Sequence, residues 1–172
     1  MSTADDATLQ ALAHELGARL LACGQTLATA ESCTGGWIGK VLTDLPGSSA
    51  WFGWGAISYA NTAKTALLGV PPALIERHGA VSREVVEAMA TGALMASGAD
   101  HALAVSGVAG PAGGTPEKPV GTVWFAWQAR GEAQACSACR RLPGDREAVR
   151  RETVRHALAQ LLERLDARGR SA

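Results

Sequence analysis

Several things are scarce in this 172-residue sequence, and each scarcity removes a class of function. Formal net charge is zero, with 16 basic and 16 acidic residues, so no bulk field draws the chain to nucleic acid or an anionic membrane. The start, "MSTADDATLQ", lacks both a basic segment and an apolar core, which is not the pattern of a secretory signal. No apolar run approaches the roughly 18 residues of a membrane-spanning helix, so a cytoplasmic protein with no membrane partner is expected. Cysteine is sparse: of the four, only Cys136 and Cys139 have CxxC spacing, and they sit in "EAQACSACRRL", which reads as a strand. A structural zinc site needs a second ligand pair, and none is present. The four histidines, His14, His78, His101 and His156, show neither HxH nor HExxH spacing. No metal and no cofactor are expected.

The remainder is ordinary for a globular protein: 47% apolar and 19% charged residues, on a chain long enough for one domain with its own core. Apolar residues recur at helical spacing over 5–22, 34–45, 61–69, 82–98 and 144–169, with Asp5 or Asp6, Asn61, Ser82 and Asp145 as candidate caps. Short apolar runs at 26–32, 51–59 and 100–110 read as strands. "TVWFAWQAR" and "EAQACSACRRL", joined through "GE", read as a hairpin. Helices interleaved with strands predict an α/β protein, a three-layer α/β/α sandwich; the hairpin makes its sheet mixed and partly antiparallel. No linker or repeat divides the chain, and about five residues at each end are expected to be mobile.

The stretch "ATAESCTGG" (28–36) places an acid, two hydroxyls, a thiol and two glycines where a strand becomes a helix. Amides at a helix start have no intrahelical partner and can bind an anion or a developing oxyanion. Gly35 and Gly36 would let a ligand approach the backbone. Ser32 or Thr34 would cap the helix or act as a nucleophile. Taken alone, the stretch is equally an ordinary capped helix. It is accompanied by "SYANTAK", which brings Tyr59 and Lys64 to the end of the next strand and the start of its helix; lysine is rare here, the others being Lys40 and Lys118. A partly buried lysine has a lowered pKa and can serve as base to a hydroxyl. "PGSSA" offers Ser49 beside Ser48, and "VSGVAGPAGG" puts Ser106 and Gly107 at a strand end where glycines could form a nest of donors. Arg146, at a helix start where the dipole disfavours a cation, is a candidate grip for an anion.

Taken in order, "TLATAESCTGG", "GSSAWFGWGAISYANTAKTALLGV", "HGAVS", "SGVAGPAGG…KPVGTVW" and "GDREAVR" resemble the C-terminal domain of the competence/damage-inducible protein CinA over about residues 10–165. Stand-alone members of that family are nicotinamide mononucleotide (NMN) deamidases, and with no second domain attached the chain resembles that short form, a single unit over 1–172. The resemblance implies hydrolysis of the NMN carboxamide to nicotinate mononucleotide and ammonia by a metal-free serine/lysine mechanism. It carries the family's polar positions onto Ser32, Ser49, Tyr59, Lys64, Ser106 and Arg146; Gly53 and Trp54 stand where many relatives carry charge. In this reading Lys64 is the base, Tyr59 orients it or relays its proton, and Arg146 pairs with the phosphate or polarises the site. Thr34, Gly35, Gly36, Ser106 and Gly107 join Arg146 in binding substrate. Either Ser32 or Ser49 is the nucleophile, with Ser32 favoured by its position. The alternative is an inactive nucleotide-binding or regulatory domain linked to competence or DNA damage. Five tryptophans among few other aromatics point to a subunit contact, hence a homo-oligomer, although core packing explains them equally.

Overall fold

In the computed structural model, which describes residues 4–169, two hydrophobic layers enclose a five-stranded sheet. The elements run α1 (Asp6–Ala22), β1 (Leu27–Glu31), α2 (Trp37–Thr43), a 3₁₀ turn (Ser48–Ala50), β2 (Phe52–Ile57), α3 (Asn61–Leu68), α4 (Pro72–His78), α5 (Arg83–Ser97), β3 (His101–Gly107), β4 (Thr122–Ala129), β5 (Cys136–Arg141) and α6 (Arg146–Gly169). The sheet order is β2-β1-β3-β4-β5. β1 is parallel to β2 and β3, whereas β3–β4 and β4–β5 are antiparallel, as the interleaved pattern followed by a hairpin predicts.

The two faces of the sheet differ in side-chain size. On one, Leu27, Leu103, Val105, Phe125 and Trp127 pack against α1, α2 and α6. On the other, Ala30, Ala56, Ala102, Ala104 and Ala126 pack against α3, α4 and α5. Period-two alternation along β3 and β4 sorts the large residues from the small. The alanine face lets α5 lie close, and α5 in turn accepts α3. At Gly92 of α5 an added Cβ would lie 1.9 Å from the Leu68 carbonyl oxygen, so only glycine allows α3 to end there. That approach fixes the height of α3, the helix that carries Lys64.

Caps follow the sequence at three of the four expected starts. Asp5 accepts from the Thr8 amide, Ser82 from Val85 and Asp145 from Ala148. Asn61 instead opens the first turn of α3, and Ala60 holds the cap position. α4 was not expected; "VPP" reads as a break, but a proline at the first helical position starts a helix with no lost donor. The expectation of mobile ends falls partly on residues 1–3 and 170–172, outside the described residues. Inside that range Ala4 is buried, its amide donating to Glu152 at 2.9 Å. No helix among the described residues is long and apolar enough to cross a membrane.

Candidate active site

The carboxyl ends of β1, β2 and β3 open into one pocket of about 210 Å³, lined by Ser32, Cys33, Tyr59, Lys64, Ser106 and Arg146 among others. Parallel α/β sheets place their ligand crevices at this end of the strands. Ser106 stands at the end of β3, and the others arrive from the first turn beyond a strand or from a helix that follows one, so the topology gathers positions more than a hundred residues apart.

Lys64 is the centre of the group. It is 1% exposed, and its Nζ lies 3.0 Å from Ser32 Oγ, 2.7 Å from the Ser58 carbonyl oxygen and 3.4 Å from the Tyr59 carbonyl oxygen. Burial pulls its pKa below the usual lysine value of 10.5. A neutral amine has two hydrogens and one lone pair. The two carbonyls can only accept, so they take the two N–H groups, and the lone pair is left for the Ser32 hydroxyl, which can donate. An ammonium would instead donate to all three oxygens, so the same three neighbours hold the lysine in either protonation state. Burial pushes the thiol of Cys33, next in sequence to Ser32, up to about 12, which disfavours the thiolate.

The turn after β1 differs from its sequence reading. The acid of "ATAESCTGG", Glu31, is 2% exposed and plugs the start of α2. Its carboxylate accepts from Thr34 Oγ1 at 2.6 Å and from the amides of Gly36, Ile38 and Gly39 at 3.0, 3.0 and 2.8 Å. The amides expected to be free for a ligand are thus largely satisfied internally. Thr34 faces Glu31 and is fully buried. Gly35 and Gly36 adopt φ of 61° and 94°, a left-handed pair that bends the chain from strand to helix. Beside them lie Arg150 and Ile57 rather than open pocket. The structure does not bring Thr34, Gly35 or Gly36 to the pocket wall.

Ser49 is likewise not brought to this group. It is exposed in the 3₁₀ turn before β2, whereas Tyr59 and Lys64 follow that strand. Six residues of β2 separate the two ends, about 20 Å at strand rise. Within one chain the Ser49 hydroxyl has no access to the Lys64 amine.

Tyr59 is 59% exposed, and its backbone carbonyl, not its hydroxyl, touches Lys64. The hydroxyl accepts from Arg146 Nη2 at 3.1 Å, while Arg146 Nη1 donates to the Gly110 carbonyl at 2.8 Å. Arg146 therefore spans the mouth of the pocket with its cation toward the opening. Ser106 is 1% exposed and donates to the Ala80 carbonyl at 2.8 Å, tying the loop before α5 to the end of β3. Gly107 lies where a Cβ would strike Val123 at 2.7 Å, so packing against β4 demands it.

Two residues at the site carried no expectation. Glu31 was legible as an acid before a helix, but not as a buried cap. Arg150 donates to the carbonyls of Cys33 and Thr34. Its place four residues after Arg146, on the same face of α6, was the available signal. The CxxC pair lies elsewhere, on β5, with both thiols exposed and free.

The family model for the CinA C-terminal domain matches residues 9–165. The nicotinamide-nucleotide amidohydrolase PncC of Escherichia coli K12 is 52% identical over 157 residues, covering 91% of this chain and 94% of that protein. The Pseudomonas putida protein of the same name is 56% identical, covering 88% and 94%. A putative competence-damage inducible protein of Symbiobacterium thermophilum is 54% identical over 159 residues, which are 88% of this chain but 37% of the longer relative. Among solved structures, the competence damage-inducible protein A of Klebsiella pneumoniae superposes with a TM-score of 0.88 at 40% identity, covering 92% of this chain and 97% of that one. With a site of this geometry at the carboxyl ends of its parallel strands, the chain belongs to the CinA C-terminal domain family.

Proposed function

We propose that this chain is a nicotinamide-nucleotide amidohydrolase that converts NMN to nicotinate mononucleotide and ammonia, with residues 10–165 as one catalytic domain. The similarity to the PncC proteins, over nearly the whole of both chains, supports the substrate. The observation that carries the mechanism is the buried 3.0 Å contact between Ser32 Oγ and Lys64 Nζ.

The reaction runs on that pair. Neutral Lys64 takes the Ser32 proton, and the oxygen attacks the carboxamide carbon. The amide of Cys33, which lines the pocket beside Ser32 and donates to no other residue among those described, receives the negative oxygen of the tetrahedral intermediate. The intermediate collapses as Lys64 returns its proton to the departing nitrogen, which leaves as ammonia. Lys64, neutral again, then takes a proton from water. The hydroxide cleaves the Ser32 ester, releasing the carboxylate and restoring the hydroxyl. Arg146, at the pocket mouth, is the partner for the phosphate of the mononucleotide, and Tyr59 holds it there. Ser106 shapes the pocket wall through Ala80.

The assembly we propose is a homo-oligomer formed through β2. It is an edge strand, and no charged residue lies between Asp44 and Lys64 to guard it. Ile57 and Tyr59 are 55% and 59% exposed beside it.

The test is ammonia release from NMN by the purified chain before and after exhaustive EDTA treatment. Turnover is expected to survive. A chain inert toward NMN, or one whose turnover EDTA abolishes and a divalent metal restores, contradicts the proposal.

A further inference from the structure

The turn 32–36 carries an arrangement that neither the nucleophile nor the base explains. Three successive carbonyls are each held by a donor. Ser32 O accepts from the Gly35 amide at 3.1 Å and Cys33 O from Arg150 Nε at 3.2 Å; Thr34 O accepts from Arg150 Nη2 at 2.7 Å and from the Trp37 amide at 3.3 Å. A trans peptide is planar, with its C=O and N–H on opposite edges, so a fixed carbonyl fixes the direction of the N–H across the same bond. The carbonyls of Ser32 and Cys33 thus set the Cys33 and Thr34 amides. Of the two, the Cys33 amide lies at the pocket with Ser32 and donates to no other residue among those described, whereas Thr34 lies outside the pocket wall.

Arg150 is built to hold this geometry. Its guanidinium lies 5.2 Å from the centre of the Trp37 ring, which restrains the plane of the fork. No carboxylate pairs with it among the described residues, so its charge is spent on the two carbonyls. On the other side of the turn the Glu31 carboxylate holds Thr34 Oγ1 and the amides entering α2. The turn is gripped between a buried anion and a cation, and what remains ungripped at the pocket is the Cys33 N–H beside Ser32.

We infer that Arg150 is a positioning residue: by holding Thr34 O it fixes the Thr34–Gly35 peptide, whose amide holds Ser32 O, and so aims the Cys33 amide at the oxyanion without itself touching substrate. The inference rests on Ser32 being the nucleophile.

The experiment uses the full chain with Arg150→Met, which keeps an apolar stem without the fork, and Arg150→Lys, which keeps the charge without the bidentate geometry. kcat on NMN is expected to fall about 10²-fold in Arg150→Met, as for loss of an oxyanion donor, with KM within about threefold. Arg150→Lys should recover only part of it. Affinity for the NMN analogue with a formyl group in place of the carboxamide, which forms a hemiacetal with Ser32, should fall in parallel, while affinity for nicotinate mononucleotide holds. Should Arg150→Met fold poorly, methylguanidine added to Arg150→Ala should raise kcat toward wild type. A folded Arg150→Met with normal kcat overturns the inference, as does a raised KM at unchanged kcat, which would mean that the arginine reads substrate directly. Full activity in Ser32→Ala would instead remove the reading beneath it, whatever the Arg150 variants do.

Discussion

Two serine-bearing turns lie at opposite ends of the same parallel strand pair, and sequence alone could not separate them. The turn after β1 holds Ser32 at 8% exposure, with a buried amine 3.0 Å from its oxygen. The turn before β2 holds Ser49 exposed, next to a buried Ser48, with no titratable partner among the described contacts. Both are serines within three residues of a glycine, in or just before a helical turn. What distinguishes them is the direction of the strands. At the carboxyl end, three parallel strands deliver their following turns to one place; at the amino end the neighbours are the tails of helices. A hydroxyl becomes a nucleophile through the company it keeps, and in the proposed mechanism that company is the Lys64 amine at the carboxyl end.

The largest effects should come from breaking the carboxyl-end pair. Ser32→Ala is expected to lower kcat by about 10⁴-fold or more, measured by ammonia release. Lys64→Met should cost roughly 10³–10⁴-fold, and Lys64→Arg should not rescue it, because arginine stays protonated and cannot accept the serine proton. Near-normal turnover in the arginine variant would show that Lys64 serves only as a charge.

The same lysine sets a pH dependence. In the proposed mechanism activity needs its neutral form, so kcat/KM should rise with pH through its lowered pKa, below the usual 10.5. For stability, the unfolded chain keeps Lys64 protonated up to about its ordinary value, while the folded chain releases the proton earlier. Between the two values the unfolded state binds more protons, so stability from this group rises with pH across that window and is lowest below it. Denaturant titrations of Lys64→Met should show a flatter rise. A wild type whose stability falls through the window would contradict a desolvated lysine.

Arg146→Ala should have an intermediate effect, weakening NMN use about ten- to a hundred-fold, mainly through KM. The wild type should also prefer NMN over nicotinamide riboside. Equal hydrolysis of the riboside would show that no residue reads the phosphate. The smallest effect belongs to the amino end. Ser49→Ala is expected to keep kcat within about threefold. A dead Ser49→Ala would erase the contrast between the two turns and require Ser49 to act on the site of a neighbouring chain.

Much of the fold was legible because its signals are local. Helical spacing marked five of the six helices, and the change from interleaved helices to a hairpin marked the switch from parallel to antiparallel pairing. α4 was hidden by its prolines, which end one segment and begin another with the same residue type. At the site, Lys64 stood out as a lysine in an apolar stretch, and Ser32 by its place at a strand-to-helix turn. The jobs of Glu31 and Arg150 were not legible. Glu31 stabilises amides as far as eight residues away, and Arg150 reaches carbonyls more than a hundred residues away; such partners are set by packing rather than by any sequence period. The glycines were read as room for a ligand, whereas their positive φ serves the bend itself.

The central claim, that Ser32 attacks the carboxamide with Lys64 as its base, is tested most directly by trapping the acyl-enzyme. NMN is mixed with the enzyme, the reaction is acid-quenched within the first turnover, and the protein is digested for mass spectrometry. The account predicts a nicotinate-mononucleotide ester on the peptide carrying Ser32, lost in Ser32→Ala. An adduct on the peptide carrying Ser49, in the wild type and unchanged in Ser32→Ala, would contradict it.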